Sequence, residues 1–291
     1  MDLRAILMGL AFALMWSSAF TSARIIVASA PPLMALSLRF LISGLIAVLI
    51  ARALGQSWRL TPAQWRATFV FGICQNALYL GLNFVAMQTV EASLAAIIAS
   101  TMPLLVALAG WLVFSEKVRP LGVAGLIAGV IGVALIMGAR MQGGVDLFGV
   151  ILCGIGVVSL TIATLAVRGA SSGGNVLMIV GLQMLIGAVA LAIPAFVFEE
   201  LVFTPSWTLL AAFVYTTLVP GLAATVVWFV LVGRIGAVKA ATFHFLNPFF
   251  GVAIAALLLG EKLGPVDIVG VASIAGGILA VQLSKQHKVE A

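Results

Sequence analysis

The chain has 291 residues, of which 63% are hydrophobic and only 8% charged, with a mean hydropathy of +1.26. So few charges cannot cover a water-facing surface, which excludes an ordinary soluble domain and leaves lipid as the surroundings of most of the chain. The net charge of +6 comes from cations scattered among short loops, with no clustered basic face, which excludes nucleic acid as a partner.

Apolar runs recur along the whole length, each near the roughly 20 residues that cross about 30 Å of hydrocarbon as a helix. A backbone in lipid must satisfy its own hydrogen bonds, so only helices or closed barrels remain, and the runs lack the alternation of barrel strands. The expected fold is an all-α integral membrane protein with ten transmembrane helices. In chain order the spans fall near 4–27, 33–51, 66–87, 92–114, 121–138, 147–167, 175–198, 207–232, 237–259 and 266–283. The first run follows Arg4 and continues past Ala19 without a cleavage site, so it reads as a retained span and not a signal peptide. Pro31, Pro32, Pro62, Pro120 and Pro265 stand where helices begin or loops turn. Cys74 and Cys153 fall inside apolar segments without disulfide or metal-ligand spacing, so neither metal nor cofactor is expected.

Cation placement sets an orientation. With the N-terminus inside, eleven cations are cytoplasmic: Arg4, Arg52, Arg59, Arg66, Lys117, Arg119, Arg168, Arg234, Lys239, Lys285 and Lys288. Three (Arg24, Arg140 and Lys262) are external, and Arg39 lies inside a span. That asymmetry follows the positive-inside rule, and ten spans return the C-terminus to the cytoplasm.

An internal repeat runs at an offset of 145. Pro103 matches Pro248, Glu116-Lys117 matches Glu261-Lys262, Pro120 matches Pro265, and Gly125 and Gly132 match Gly270 and Gly277. Ala92, Ala95 and Ala96 match Ala237, Ala240 and Ala241, and Gly9 pairs with Gly154. The halves are 1–140 and 141–291. Each holds five helices, an odd number, so the second half enters the membrane inverted, the arrangement of alternating-access secondary transporters.

Polar groups at membrane depth are costly unless they face protein or a wet cavity. In the third span, Gln75, Tyr79 and Asn83 are spaced four apart on one helical face beside Asn76, and this face reads as a cavity wall or as interhelical packing. His244 and Asn247 precede Pro248, which frees a carbonyl and bends the ninth span; Pro103 acts likewise near Ser100 and Thr101. Trp16 and Trp228 offer flat walls for an aromatic or apolar side chain. The candidate substrate-binding residues are therefore Trp16, Asn76, Tyr79, Asn83, Ser100, Trp228, His244 and Asn247. Arg39, Pro103 and Pro248 are expected to be structural or gating, with Arg39 close enough to its helix end to snorkel. Glycines of the fifth and tenth spans (Gly122, Gly125, Gly129, Gly132; Gly270, Gly276, Gly277) form ridges for close packing or dimer contact.

Trp16-Ser17-Ser18-Ala19-Phe20 with Arg24, Leu38-Arg39-Phe40 after Pro32, and Ala95-Ala96 with Pro103 through Phe114-Ser115-Glu116-Lys117 carry a resemblance, repeated at Ala240-Ala241, Pro248 and Gly260-Glu261-Lys262. In order and spacing they resemble the drug/metabolite transporter superfamily in its ten-helix EamA-like branch, most like the YddG-type exporters of aromatic and other amino acids. The resemblance implies a central cavity lined by helices one to four and six to nine, with five and ten supporting from outside. It also implies a bacterial cytoplasmic (inner) membrane, a small-molecule substrate, and a monomer or weak homodimer. Thr161 replaces Trp16, and Met184 replaces Arg39, at the equivalent positions of the second half, so any site is asymmetric.

Other activities fit less well. Gly169-Ala170-Ser171-Ser172-Gly173 matches G-x-S-x-G, but in a loop and not at a strand-to-helix elbow, so an intramembrane serine hydrolase is not expected. No Walker motif supplies ATP, and charged pore rings are lacking. The acids lie in loops or near span ends, which points to gradient-driven export of amino acids or related metabolites, or of drugs, with His244 as the one candidate proton carrier.

Overall fold

The computed structural model describes residues 3–115, 118–166 and 173–286. Within them, ten helices are long and apolar enough to cross a bilayer. They are α1 Leu3–Val27, α2 Pro32–Ala53, α3 Pro62–Ala86, α4 Ala92–Leu112, α5 Pro120–Gln142, α6 Leu147–Ala166, α7 Val176–Phe198, α8 Trp207–Ile235, α9 Lys239–Leu259 and α10 Pro265–Gln286. The expected spans are all present, shifted by a few residues at their ends. Prolines in the first turn open α2, α3 and α5, where the missing N–H has no helical partner to lose.

The 145-residue offset extends beyond the sequence into backbone irregularities. Helix α3 contains a π-helical segment at Gly72–Tyr79, and α8 contains one at Thr217–Ala223, starting at the equivalent residue. Ser115 (φ 52°) and Gly260 (φ 68°) take the same left-handed turn just before the repeated Glu-Lys pair. Glu261 is seen; Glu116 and Lys117 lie outside the described residues, as do Gly169 to Ser172 of the serine motif and His287.

The chain packs as two compact units, and each draws on both sequence halves. One comprises Met1–Thr21, Thr89–Val150 and Ala223–Ala291; the other comprises Ser22–Gln88 and Ile151–Leu222. In the first, α5 packs along α10 and α4 along α9; in the second, α2 packs along α7. Each of these pairs joins a helix to its own repeat counterpart. Burial runs opposite to a soluble protein: small residues such as Ala47, Ala95 and Ala255 are enclosed, while Leu49, Ile127, Phe196 and Leu257 face outward. Packing between spans here relies on close backbone approach, since lipid tails supply no hydrophobic drive between helices.

Helix ends are tied by acids and amides from the counterpart helix. In the first unit both Glu261 carboxylate oxygens accept from the first amides of α4, Ala92 (2.8 Å) and Ser93 (2.9 Å). Arg140 holds Glu91 and, at 3.2 and 3.1 Å, the buried carboxylate of Asp267. In the second unit Glu199 accepts from Leu33 (2.7 Å) and Met34 (2.9 Å) at the start of α2. Gln56 does the same for Met178 at the start of α7 (3.0 Å). Anions at helix N-termini satisfy orphan N–H groups and the helix dipole together.

Candidate functional site

In the first unit an aromatic cluster forms on α1, α8 and α9. Phe12 and Trp16 are four apart on α1 and stand on one face, with ring centroids 5.7 Å apart. Phe12 also lies 4.7 Å from the Trp228 ring and 5.4 Å, edge-on, from His244, while Trp228 and His244 are 5.2 Å apart. Centroid separations and tilts of this kind are the favourable ones for aromatic pairs. Trp16, Trp228 and His244 are only half-buried.

The backbone that presents His244 is set by Pro248. Proline has no N–H to give the His244 carbonyl four residues back, so the chain tightens into a 3₁₀ turn over Thr242–Leu246. The Asn247 amide N–H then takes the His244 carbonyl as a three-residue bond. The Asn247 side-chain Nδ2 and His244 Nδ1 are in hydrogen-bond contact at 2.9 Å. Ser17 Oγ donates to the Asn247 carbonyl at 3.2 Å. Asn247 Oδ1 and Thr21 Oγ1, both buried, have no hydrogen-bond partner. An aromatic wall beside an unused acceptor suits a ligand with a ring and a polar group.

The other predicted residues divide. Ser100 belongs to the same unit, but its hydroxyl bonds back to the Ala96 carbonyl at 2.6 Å. It marks the break where α4 turns at Thr101 before Pro103. Asn76, Tyr79 and Asn83 lie in the second unit and are all buried. A π-helical segment, Gly72–Tyr79, interrupts the α-helical hydrogen bonding where Gln75, Asn76 and Tyr79 sit. The enclosed residues are Asn76, Tyr79 and Asn83, while Gln75 is half-exposed. Asn76 Nδ2 donates to the Gln183 carbonyl of α7 at 2.9 Å, and Asn83 Nδ2 to the Tyr79 carbonyl at 2.8 Å, leaving Asn83 Oδ1 without a partner. Arg39 is 6% exposed, so its guanidinium is enclosed by protein and does not snorkel. Among the described residues no group of histidines, cysteines and acids could hold a metal. Sequence reasoning missed Phe12, although its spacing of four from Trp16 was the available signal, and it missed the Arg140–Asp267 pair.

The EamA-like transporter family model matches residues 3–138 and again 147–283. The chain belongs to the EamA-like transporter family. Its two tandem EamA-like segments are the two five-helix halves, and the chain is a multi-pass membrane transporter and not an enzyme. Similar proteins include the uncharacterized transporter YvbV of Bacillus subtilis (strain 168), 28% identical over 96% of this chain and 92% of that protein. Another is the uncharacterized inner membrane transporter YedA of Escherichia coli (strain K12), 28% identical over 96% of this chain and 91% of its own length. The protein PecM of Dickeya dadantii (strain 3937) is 24% identical over 89% and 87%. A solved crystal structure shares this chain's fold with a TM-score of 0.71, at 21% identity over 97% of this chain and 98% of that one.

Proposed function

We propose that this EamA-like secondary transporter exports amino acids, aromatic ones among them, or related small metabolites by alternating access around a central cavity. The observation that carries the reading is the cluster of Phe12, Trp16, Trp228 and His244 beside the unpartnered Asn247 Oδ1. Stacking surfaces at membrane depth would receive a flat or apolar side chain, and the amide oxygen would accept from an amine. The proposed substrate-binding set is Trp16, Asn76, Tyr79, Asn83, Ser100, Trp228, His244 and Asn247. Pro103 and Pro248 stand in structural or gating roles. The resemblance to YddG-type exporters supports the amino-acid reading. The cation asymmetry supports a cytoplasmic N- and C-terminus, and the name of the Escherichia coli relative supports an inner membrane.

The test is flux of radiolabelled amino acids in proteoliposomes, screened across side-chain classes with non-amino-acid metabolites and drugs alongside. Saturable counterflow of at least one amino-acid class, weakened by Trp228→Ala, is the expected result. Saturable counterflow confined to the other compounds would overturn the amino-acid reading.

A further inference from the structure

A second polar cluster lies wholly within the unit that contains α2 and α7, where α2 meets the π-helical segment of α8. Arg39 and Ser43 are four apart on α2 and therefore share a face. Arg39 stands seven residues beyond Pro32, about 10 Å along the axis at 1.5 Å per residue. A methyl group added at Gly221 would lie 3.1 Å from the Thr216 carbonyl oxygen, 3.4 Å from an Arg39 Nη and 3.7 Å from Ser43 Oγ, so both side chains border this glycine together with that carbonyl. Arg39 is 6% and Ser43 1% exposed, and neither Arg39 Nε nor Ser43 Oγ has a hydrogen-bond partner. The guanidinium carbon sits over the Phe40 ring at 5.1 Å, a weak substitute for a counter-charge.

No acid among the described residues neutralises this cation. Glu91 and Asp267 pair with Arg140, Asp146 takes the Thr89 hydroxyl, and Glu199 and Glu261 cap helix starts, while Glu200 is exposed. A buried charge without a partner is among the most costly features a membrane protein carries, so it points to function. The repeat supplies an internal control. The counterparts of Arg39, Ser43 and Gly221 are Met184, Ala188 and Asn76. There the scaffold is apolar, and the Asn76 side chain reaches across to the Gln183 carbonyl. The fold thus needs neither cation nor hydroxyl at this position, and the copy that carries them has a glycine where the other has Asn76.

We infer that Arg39 and Ser43, beside Gly221, form a carboxylate-binding site that receives the carboxylate of the transported substrate. The substrate assignment rests on the export reading above; the carboxylate site itself does not. Arginine suits the role through its planar donor fork, with the Ser43 hydroxyl as an added donor. Both side chains are closed from solvent in this structure, so the cluster must open during the cycle to be filled, as a transporter site does.

Calorimetric titration of the purified full chain with benzoate and with benzamide, which share a ring and differ in charge, tests the site without reference to transport. The expected result is binding of benzoate at least about tenfold tighter than benzamide, as charge-assisted hydrogen bonds imply. Arg39→Gln removes the preference. Gly221→Ala and Ser43→Ala, which keep the charge, weaken benzoate binding severalfold and stand in if Arg39→Gln does not fold. Equal affinity for the two compounds, no binding of benzoate, or unchanged benzoate affinity in Gly221→Ala and Ser43→Ala overturns the proposal. A benzoate preference without amino-acid flux leaves the site standing and removes the export reading; amino-acid flux without it does the reverse.

Discussion

Gly125 lies against the backbone of Gly277: a methyl group added to either would stand 2.6 or 2.5 Å from the other's carbonyl oxygen. Gly132 and Gly270 make the same contact, at 2.7 and 2.9 Å. Position 125 repeats at 270 and 132 at 277, so each of the two α5 glycines meets the repeat counterpart of the other α5 glycine. Only antiparallel packing of two equivalent helices exchanges contacts in this way. In α2 and α7 the order is likewise reversed, with Leu33 near Glu199, Ser37 bonded to Ala188, and Gln56 bonded to Met178.

Gly125→Ala and Gly277→Ala should each lower the thermal midpoint in detergent, by the equivalent of about 1–3 kcal/mol of overpacking. Gly276 has open space around its Cβ position, so Gly276→Ala should be neutral or mildly stabilising through helix propensity. Equal effects at 276 and 277 would show that the ridge is not a packing surface.

Arg140 supplies the counter-charge of Asp267, whose side chain is 8% exposed. Arg140→Ala should cost about 3 kcal/mol or more by stranding that carboxylate, and Asp267→Asn in the same chain should restore part of the loss. Chemical unfolding of the single and double variants measures the coupling; additive losses would mean the pair is incidental.

Asp146, before α6, accepts from the Thr89 hydroxyl, then from the amides of Gly149 and Phe148, and these bonds hold its carboxyl below the usual aspartate range. A depressed folded value gives stability that is present above the unfolded pKa and is lost as pH falls through the folded one. Thermal midpoints scanned from roughly pH 2 to 6 should therefore fall less steeply on the acid side in Thr89→Val than in the parent. An unchanged slope would contradict the Thr89 contribution.

Trp16→Ala and Trp228→Ala should reduce flux by about 3–10-fold, the scale of lost aromatic contacts, with little change in unfolding temperature. Asn76→Ala should do the opposite in part, lowering stability because the Gln183 carbonyl loses its partner. Parallel flux and thermal assays separate the two roles; a purely structural effect of Trp228→Ala would remove it from the site.

The spans were legible because lipid imposes one rule on every helix, a run of apolar residues of fixed length. The repeat was legible because Pro103/Pro248 and the glycine pairs are backbone requirements that leave few alternatives. The π-helical segment within α3 was not, since no residue type announces it. The Arg140–Asp267 pair was hidden for another reason: it joins the end of α5 to the start of α10, 127 residues apart. Arg39 could be singled out for its cost, but its enclosure beside Gly221 depends on α8, which sequence spacing does not bring near it. The aromatic cluster was half visible, as Trp16, Trp228 and His244 without the Phe12 that joins them.

The central claim is that two equivalent five-helix halves cross the membrane in opposite senses. Ser115 and Lys262, each exposed beside the repeated turn, report it directly when changed singly to cysteine in a chain with Cys74 and Cys153 replaced by alanine. Labelling of intact cells with a membrane-impermeant maleimide should mark Lys262→Cys and spare Ser115→Cys until the membrane is opened. Labelling of both positions from the same side would contradict the inverted repeat.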